Sequence, residues 1–485
     1  MSGKTAPGRG ACFVTGSIMR HVMVMAGTGA IGLMAVFAVD LLNMIYIAHL
    51  GDPALTAAIG FASAIGGVQI AVSIGLTIGL GACVGREIGS GRFDVAQRVA
   101  SSFMTTTFVL TLLLGVATAL FADPILRLLG ASGEALTQAE RFLYIVSPFL
   151  PFVALGMSSS ALMRSVGDAR RSMNVTLGGA IVAAILDPAL ILGMHEGLTG
   201  AAISSVLSRL AVLMLGMRGA GAHGLLRRPQ LHAIPGDTKR VASIAGPAIL
   251  TNLATPVGSA YVTGNMARFG LDAVGGQASV ERIVVVAFAF VFALTGAVGP
   301  IMAQNLGAKK LDRVREVLRA SLTLVALCVA TTWIVLALIQ NLLVAGFHAT
   351  GNGATLIHLF CSWTVSSYLF VGMLFVANSA FNNLGHPIYS TLFNWGRATL
   401  GTIPFVTVGA RYGAPGVQIG QSLGCVLFGS LAVVVAFRVV ANLNVGQATP
   451  EANAFPSASD VPTLSPEAAM AELDAIEEAA LSESK

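Results

Sequence analysis

The chain has 485 residues, of which 55% are hydrophobic and only 11% are charged. A soluble globular domain carries about 25% charged residues, so this composition excludes disordered, collagen-like and ordinary cytosolic chains. The mean hydropathy of +0.79 indicates a polytopic membrane protein, with the lipid bilayer as its main surroundings.

The net charge of +5 is unevenly distributed along the chain. Residues 444–485 contain eight acidic residues and one basic residue, a net charge of −7, so the rest of the chain carries +12. A basic membrane body is expected from cytoplasmic loops and does not require a nucleic-acid partner. We predict that the acidic tail is solvated and disordered.

The first residues give no cleavable signal peptide. Residues 1–16 are small and polar, with no apolar core in front of a cleavage site. We therefore expect the first spanning helix itself to direct the chain to the membrane.

Apolar runs of about 20 residues or more recur along the chain, and each is long enough to cross the hydrocarbon core. At these lengths only helices can span, because lipid cannot satisfy free backbone groups. The predicted fold class is therefore an all-α integral membrane protein with twelve transmembrane helices. The predicted spans are 22–48, 54–83, 99–121, 139–163, 173–194, 199–217, 242–267, 273–303, 317–346, 355–381, 389–410 and 415–439.

Basic residues are distributed asymmetrically between the two sides of these spans. With the N-terminus inside, the cytoplasmic segments contain 20 Lys and Arg residues, and the opposite segments contain only Arg127, Arg141, Arg268 and Arg411. Because cytoplasmic loops are enriched in basic residues, we predict that both termini face the cytoplasm.

A weak internal repeat relates the two halves at a constant offset, which pairs Gly89 with Gly307 and Gly167 with Gly385. In each half a small-residue turn closes the second helix, and a glycine turn closes the fourth. The pattern predicts two pseudo-symmetric six-helix lobes with a substrate site between them. The predicted segments are a cytoplasmic N-terminal segment (1–20), the N-lobe (21–218), a cytoplasmic inter-lobe linker (219–240), the C-lobe (241–441) and the acidic cytoplasmic tail (442–485).

Two aspartates stand inside otherwise apolar runs, Asp40 within 36–46 and Asp187 within 181–191. A charge at the bilayer centre costs roughly 2.5–3.5 kcal/mol on insertion scales. Pro188 also frees a carbonyl one turn earlier, as occurs at ion sites in broken helices.

The functional interpretation of these aspartates is a carboxylate pair in a hydrated cavity, which exchanges protons or binds a small cation such as Na⁺. The alternative is a pair of structural carboxylates that are hydrogen-bonded to helix hydroxyls. We assign Asn43 and Tyr46, from the same segment as Asp40, to the predicted cavity.

Motifs typical of enzymes and of cofactor or metal sites are missing from the sequence. It contains no GxxxxGK[ST], HExxH or GxSxG motif, and its five cysteines form no CxxC. The glycines at Gly79, Gly81, Gly85 and Gly89 predict close helix packing and do not fit a dinucleotide-binding loop. We therefore predict a monomer that is not an enzyme and binds no cofactor, metal ion or nucleic acid.

Several short segments together resemble one family of membrane transporters. They are Val39–Asp40, Leu50–Gly51, 162–168, Leu186–Pro188, 197–202 and 303–308. In their order and their positions at helix ends, they resemble MATE (multidrug and toxic compound extrusion) transporters over residues 20–440, and the prokaryotic DinF-like branch in particular. The resemblance implies a V-shaped pair of six-helix lobes in the bacterial inner membrane. It also implies antiport of amphipathic organic cations against H⁺ or Na⁺.

The resemblance further implies which residues couple transport to the ion. Asp40 and Asp187 match the N-lobe cation site of the DinF-like branch, and Ser205 matches the hydroxyl that this site takes from the sixth helix. An asparagine one turn before the second aspartate is replaced here by Ala183. The replacement removes an oxygen ligand and favours H⁺ over Na⁺ as the coupling ion.

The predicted function is therefore multidrug efflux in exchange for H⁺, with protonation of the N-lobe aspartates during alternating access. One alternative is a Na⁺-coupled MATE antiporter. Another is a lipid-linked oligosaccharide flippase of the same superfamily, for which a cationic cavity is expected. A membrane enzyme or scaffold has no motif in its favour.

Overall fold

The computed structural model describes residues 10–50, 52–194 and 196–443, and within these ranges every regular element is a helix. The all-α fold class predicted from the apolar runs is therefore confirmed. The predictions for residues 1–9 and for the acidic tail from residue 444 fall outside the described residues.

The described helices are apolar over most of their surface, because one face of each packs against other helices while the opposite face meets lipid. Those of the N-terminal half are α1 (Ile18–His49), α2 (Pro53–Gly89), α3 (Phe93–Leu120), α4 (Ala122–Leu128), α5 (Gly133–Val146), α6 (Leu150–Ser165), α7 (Ala169–Pro188) and α8 (Gly197–Ala222). Those of the C-terminal half are α9 (Ile234–Met266), α10 (Leu271–Ala287), α11 (Ala289–Gly307), α12 (Leu311–Gly346), α13 (Gly351–Ser362), α14 (Tyr368–Asn383), α15 (Pro387–Ala398), α16 (Ile403–Gly409) and α17 (Gly413–Ala441).

Eleven stretches of the described chain are long and apolar enough to cross a membrane. The difference from the predicted twelve arises in Pro387–Ala441, which covers the last two predicted spans as one run. This run reverses at Gly413, whose φ of +81° suits glycine. Its two arms pack antiparallel, with Gly401 against Gly424. The number of membrane crossings stays a prediction.

Glycine turns follow the same helix in each half, at positions related by the repeat. Gly167 comes after α6 with φ of +85°, and Gly385 comes after α14 with φ of +93°. Both values lie in the left-handed region, which side chains with a Cβ rarely adopt. The offset read from the sequence therefore relates equivalent turns of the fold.

The C-terminal ends of α2 and α11 cross each other, and the crossing obeys the same offset. A Cβ at Gly89 would collide with the backbone of Gln304, and a Cβ at Gly307 would collide with the backbone of Arg86. Because the offset that pairs Gly89 with Gly307 also pairs Arg86 with Gln304, the two contacts are equivalent. Of the four glycines predicted to pack closely, Gly79, Gly85 and Gly89 leave too little space for a Cβ, whereas a Cβ at Gly81 would make only an ordinary contact, 3.9 Å from Ala161.

The segment before α1 forms a strap, residues 10–17, that connects both halves beside this crossing. The Phe13 N–H donates to Gln304 Oε1 at 2.9 Å, and Gln304 Nε2 donates to the Ser165 carbonyl at 2.6 Å. From α12, Arg313 donates to the carbonyls of Phe13 at 2.9 Å and Gly16 at 3.0 Å. Charge-assisted hydrogen bonds of this kind are about twice as strong as neutral ones. Arg313 therefore holds the strap in place.

We expect Arg313→Gln to release the strap and to free the Cys12 Sγ from its packing, although Cys12 as a whole residue is already exposed. Cys12 Sγ packs against Gly167, and the resulting desolvation raises the pKa of this thiol to about 11 from an ordinary value of 9.0. A return to the ordinary pKa increases the thiolate fraction near pH 8 about 100-fold. Iodoacetamide labelling at pH 8, quantified on the Cys12 peptide by mass spectrometry, measures this change.

Arg315→Gln is the matched control for this prediction, because Arg315 lies on the same helix and pairs only with the exposed Asp312 among the described residues, at 2.8 Å. We expect its labelling rate to equal that of the wild type. Equal labelling of Cys12 in both variants would show that Arg313 does not hold the strap.

Candidate cation-coupling site

The two aspartates predicted to carry the chemistry lie on different helices of the N-terminal half. Asp40 is in the second half of α1, and Asp187 is the penultimate residue of α7. Asp187 is only 2% exposed, whereas Asp40 is exposed. Their carboxyl groups are near enough to interact electrostatically. The structure therefore brings the predicted pair together.

The chain departs from regular α-helix directly after Asp187. Pro188 has no backbone N–H, so the carbonyl one turn earlier loses its usual donor. Residues Ala189–Gly193 then form a π-helical turn, a feature that often occurs at functional sites. The expected break in the helix beside Asp187 is therefore present.

A glycine on α8 lets this helix approach the π-helical turn closely. A Cβ at Gly200 would lie 2.7 Å from the carbonyl oxygen of Leu190. One helical turn later, the Ser204 hydroxyl lies beside the Asp187 carboxylate and interacts with it. The Ser204 Oγ is buried and does not reach the geometry of a hydrogen bond with any described residue.

Asn43 is the residue of α1 that touches Asp187 directly. Its Nδ2 donates to Asp187 Oδ2 at 3.3 Å, so the amide connects α1 to α7. The amide oxygen of Asn43 is buried and has no hydrogen-bond partner among the described residues. An unpaired buried acceptor is costly, and this one lies next to a carboxylate.

Two other predicted residues occupy the surroundings of this centre. Tyr46 is half-buried and packs against the apolar cluster that includes Ile47 and Ile191. Ser205 is half-buried on α8. The α8 hydroxyl beside Asp187 belongs to Ser204, one residue before the position that the resemblance implied.

Neither Asp40 nor Asp187 forms an ion pair with a described residue, although other acids do. Glu87, near the end of α2, pairs with Arg240 of α9 and with Arg92. These ion pairs stabilise the packing of the helices where the two halves meet. The aspartates of α1 and α7 are left, within the described chain, without a basic partner that would hold them permanently charged.

A guanidinium from the C-terminal half reaches α1 near this site. Arg282 of α10 donates to the Sδ of Met44 at 2.9 Å. Met44 is one helical turn after Asp40, and residues so spaced share a helix face. The neighbouring Glu281 accepts a hydrogen bond from Gln277 at 3.3 Å, within its own helix.

A helical bundle with two repeat-related halves and with carboxylates inside its apolar helices is typical of a multi-pass membrane transporter. A family model described as MatE matches residues 30–189 and 247–408. The chain belongs to this family, the MATE transporters, as its sequence motifs predicted. Members move small organic substrates across the membrane with ion coupling. The protein is therefore a transporter of the bacterial cell membrane and not an enzyme.

Two relatives extend over nearly the whole chain. A protein named FAD transporter from Shewanella oneidensis is 27% identical over 87% of this chain and 95% of its own length. The multidrug export protein MepA of Staphylococcus haemolyticus is 24% identical over 90% of this chain and 97% of its own length.

Solved structures show the same fold. A point mutant of the Vibrio cholerae MATE transporter VcmN superposes with a TM-score of 0.83 at 22% identity, covering 88% of this chain and 98% of that one. A MATE protein in complex with MaL6 gives a TM-score of 0.84 at 17% identity, covering 90% and 99%. At these identities the likeness concerns the fold alone.

Proposed function

We propose that the protein exports amphipathic or cationic organic compounds in exchange for H⁺. The observation that carries the proposal is the pair formed by Asp40 and Asp187, two interacting carboxyl groups without an ion-pair partner among the described residues. Two neighbouring carboxylates repel each other, so binding of a proton or a cation to either one relieves that repulsion. The MepA relative is named for multidrug export, which agrees with this cargo class.

In this mechanism the protonation state of the pair biases the two conformations of the transporter. The charged pair attracts a cationic cargo, and proton binding removes that attraction, so that cargo is released. Asn43 is a positioning residue, since its amide orients Asp187 towards α1 at 3.3 Å. Ser204 supplies the neighbouring hydroxyl, Ser205 follows it on α8, and Tyr46 packs on the apolar side of the site.

Na⁺ coupling is the second candidate, and the amide oxygen of Asn43 favours it. This oxygen is buried, unpaired within the described chain and adjacent to Asp187. Na⁺ prefers several oxygen ligands, as other hard cations do. Ala183 has no such oxygen, so Asn43 is the amide available for this role. We favour H⁺ because a proton needs no coordination shell.

The cargo has alternatives as well. The Shewanella relative is named FAD transporter, and a lipid-linked oligosaccharide flippase has the same fold class. Both substrates are anionic and require cationic side chains in the cavity. We further propose a monomer in the inner membrane with both termini in the cytoplasm, because the basic residues concentrate on that side.

The proposal is tested by transport into proteoliposomes that contain the purified full-length chain. We expect an outward-directed proton gradient to drive uptake of radiolabelled tetraphenylphosphonium when the membrane potential is clamped with valinomycin and potassium. We expect Asp40→Asn to reduce this uptake at least about tenfold, because the loss of a coupling carboxylate removes interactions worth more than about 1.4 kcal/mol.

Asp94→Asn is the matched control, because Asp94 is an exposed carboxylate at the start of α3, away from the pair. Uptake driven by a sodium gradient but not by a proton gradient would overturn H⁺ coupling. Absence of uptake under either gradient would overturn export of organic cations.

A further inference from the structure

The cavity between the two halves contains an arginine that the coupling mechanism does not use. It is lined by α2 and α6 from the N-terminal half and by α11 and α14 from the C-terminal half, and its volume is about 50 Å³. Arg164, near the end of α6, lines this cavity. Arg164 directly follows the predicted span 139–163 and is the penultimate residue of the candidate span Gly133–Ser165.

The guanidinium of Arg164 is held in place by neutral partners. Its Nη1 donates to Ser160 Oγ at 3.2 Å and to Ser172 Oγ at 3.0 Å. It forms no ion pair with a described residue, and no described acidic group lies near enough to interact with it. The two hydroxyls orient the group but leave its positive charge unbalanced, which is costly inside a membrane protein.

The guanidinium faces α11 of the opposite half of the molecule. A Cβ at Gly296 of α11 would lie 3.5 Å from Arg164 Nε and 3.8 Å from its Cζ. These are ordinary contact distances, so the guanidinium lies directly against α11. An arginine presents five N–H donors in a planar fork that fits carboxylate and phosphate oxygens.

The facing wall of the cavity supplies further polar groups from α14. Ser379, Asn382 and Asn383 line it, and each is at least nine-tenths buried. The Oδ1 of Asn383 has no hydrogen-bond partner among the described residues. A buried polar group without a partner indicates a missing ligand or water, so the cavity has polar groups on both sides.

We propose that this cavity binds an anionic group of the cargo, a carboxylate or a phosphate, with Arg164 as its counter-charge. The inference rests on the proposed export of organic compounds and adds to the cationic cargo those amphipaths that also carry such an anionic group. Since the lining comes from both halves, the site changes when the halves move. Binding and release of the anion are thereby linked to alternating access.

Equilibrium binding to the purified full-length chain tests this site without any ion gradient. Two pairs of probes differ only in one anionic group: FMN against riboflavin for phosphate, and norfloxacin against its methyl ester for carboxylate. We expect at least one probe that carries the anionic group to bind about tenfold more tightly than its partner without that group, because charge-assisted hydrogen bonds to arginine are strong. We expect Arg164→Gln to abolish that preference and Arg164→Lys to retain part of it.

A second variant tests the site while Arg164 stays intact. Thr295→Asp places a negative charge on the α11 wall of the same cavity. We therefore expect it to lower the binding affinity of the anionic probe more than that of its partner. Arg209→Gln is the control, because Arg209 is an arginine of α8 that donates to the Val146 carbonyl at 2.9 Å and does not line this cavity. It should keep the preference.

The proposal is overturned if neither probe pair shows a preference in the wild type, or if the preference survives both Arg164→Gln and Thr295→Asp. Because binding is read without a gradient, a failure of proton-driven transport does not affect this result. Conversely, loss of the anion preference leaves the proposed coupling through Asp40 and Asp187 intact.

Discussion

Gly89→Val and Gly307→Val are each expected to disrupt the contact between the two halves of the transporter. At both positions a Cβ would meet backbone atoms of the facing helix, Gln304 for Gly89 and Arg86 for Gly307. Backbone cannot rotate away as a flexible side chain can, so the helices must separate. Overpacking of this kind costs about 1–3 kcal/mol or more, enough to reduce the conformation in which α2 and α11 cross about 5- to 150-fold relative to other conformations.

The consequence for transport is large, because alternating access needs both conformations to be populated. We expect each valine variant to reach the membrane in normal amounts and to lose most of its transport. Distances between spin labels placed near the starts of α3 and α12 measure the effect directly. In both valine variants the label pair is expected to move apart.

The control for these variants is an alanine at Gly60 or Gly264, around which a Cβ would meet nothing within 4 Å. Both alanine variants are expected to transport at the wild-type rate. Because Gly89 and Gly307 are equivalent under the repeat, their variants should behave alike. Wild-type transport by Gly89→Val would show that the crossing of α2 and α11 does not limit the cycle.

This symmetry explains how much of the fold the sequence could predict. The offset between the halves is visible in a few glycines only, yet those are the positions where backbones touch or turn. Gly89, Gly307, Gly167 and Gly385 each meet a constraint that a Cβ violates. Apolar residues at equivalent positions differ in identity between the halves, because lipid and core both accept any large apolar side chain. Such a repeat is therefore recognised in the sequence by a few identical residues at the positions where the backbone is constrained.

The fine structure of the site was less accessible from the sequence. Asp40, Asp187 and Pro188 stand out, since a charge or a proline inside an apolar run has an evident cost. Ser204 and Ser205 are adjacent on a helix, and their order says nothing about which one faces α7. The close contact of Gly200 with the π-helical turn places Ser204 beside Asp187, and this is a tertiary contact that the sequence does not show.

The inward orientation of Arg164 could not be predicted from the sequence for a related reason. Counting basic residues assigns them to the nearest end of a span, because most arginines there reach the interface. Arg164 turns inward because Ser160 and Ser172 accept its hydrogen bonds inside the bundle. A serine one turn before an arginine is a signal of this kind, although the sequence alone could not bring Ser172 to the same point.

Asp187→Asn is expected to abolish proton-driven transport and at the same time to raise thermal stability. The carboxyl group of Asp187 is buried and has no basic partner among the described residues, so its charged form is costly. Asparagine keeps the shape, and its side-chain oxygen still accepts from Asn43. We expect the free energy of unfolding to rise by about 1–3 kcal/mol. Thermal unfolding in detergent and transport in proteoliposomes measure the two effects.

Asp168→Ala, next to the same helix, is the matched control and should behave in the opposite way. Asp168 caps the start of α7, where it accepts from the Arg171 N–H at 3.0 Å and pairs with His223 at 2.8 Å. Losing a cap costs about 1 kcal/mol, so this variant should unfold earlier while it continues to transport. If Asp187→Asn also lowered stability, Asp187 would be a structural carboxylate. A gain in stability combined with loss of transport is the signature of a group that is kept for function at the expense of the fold.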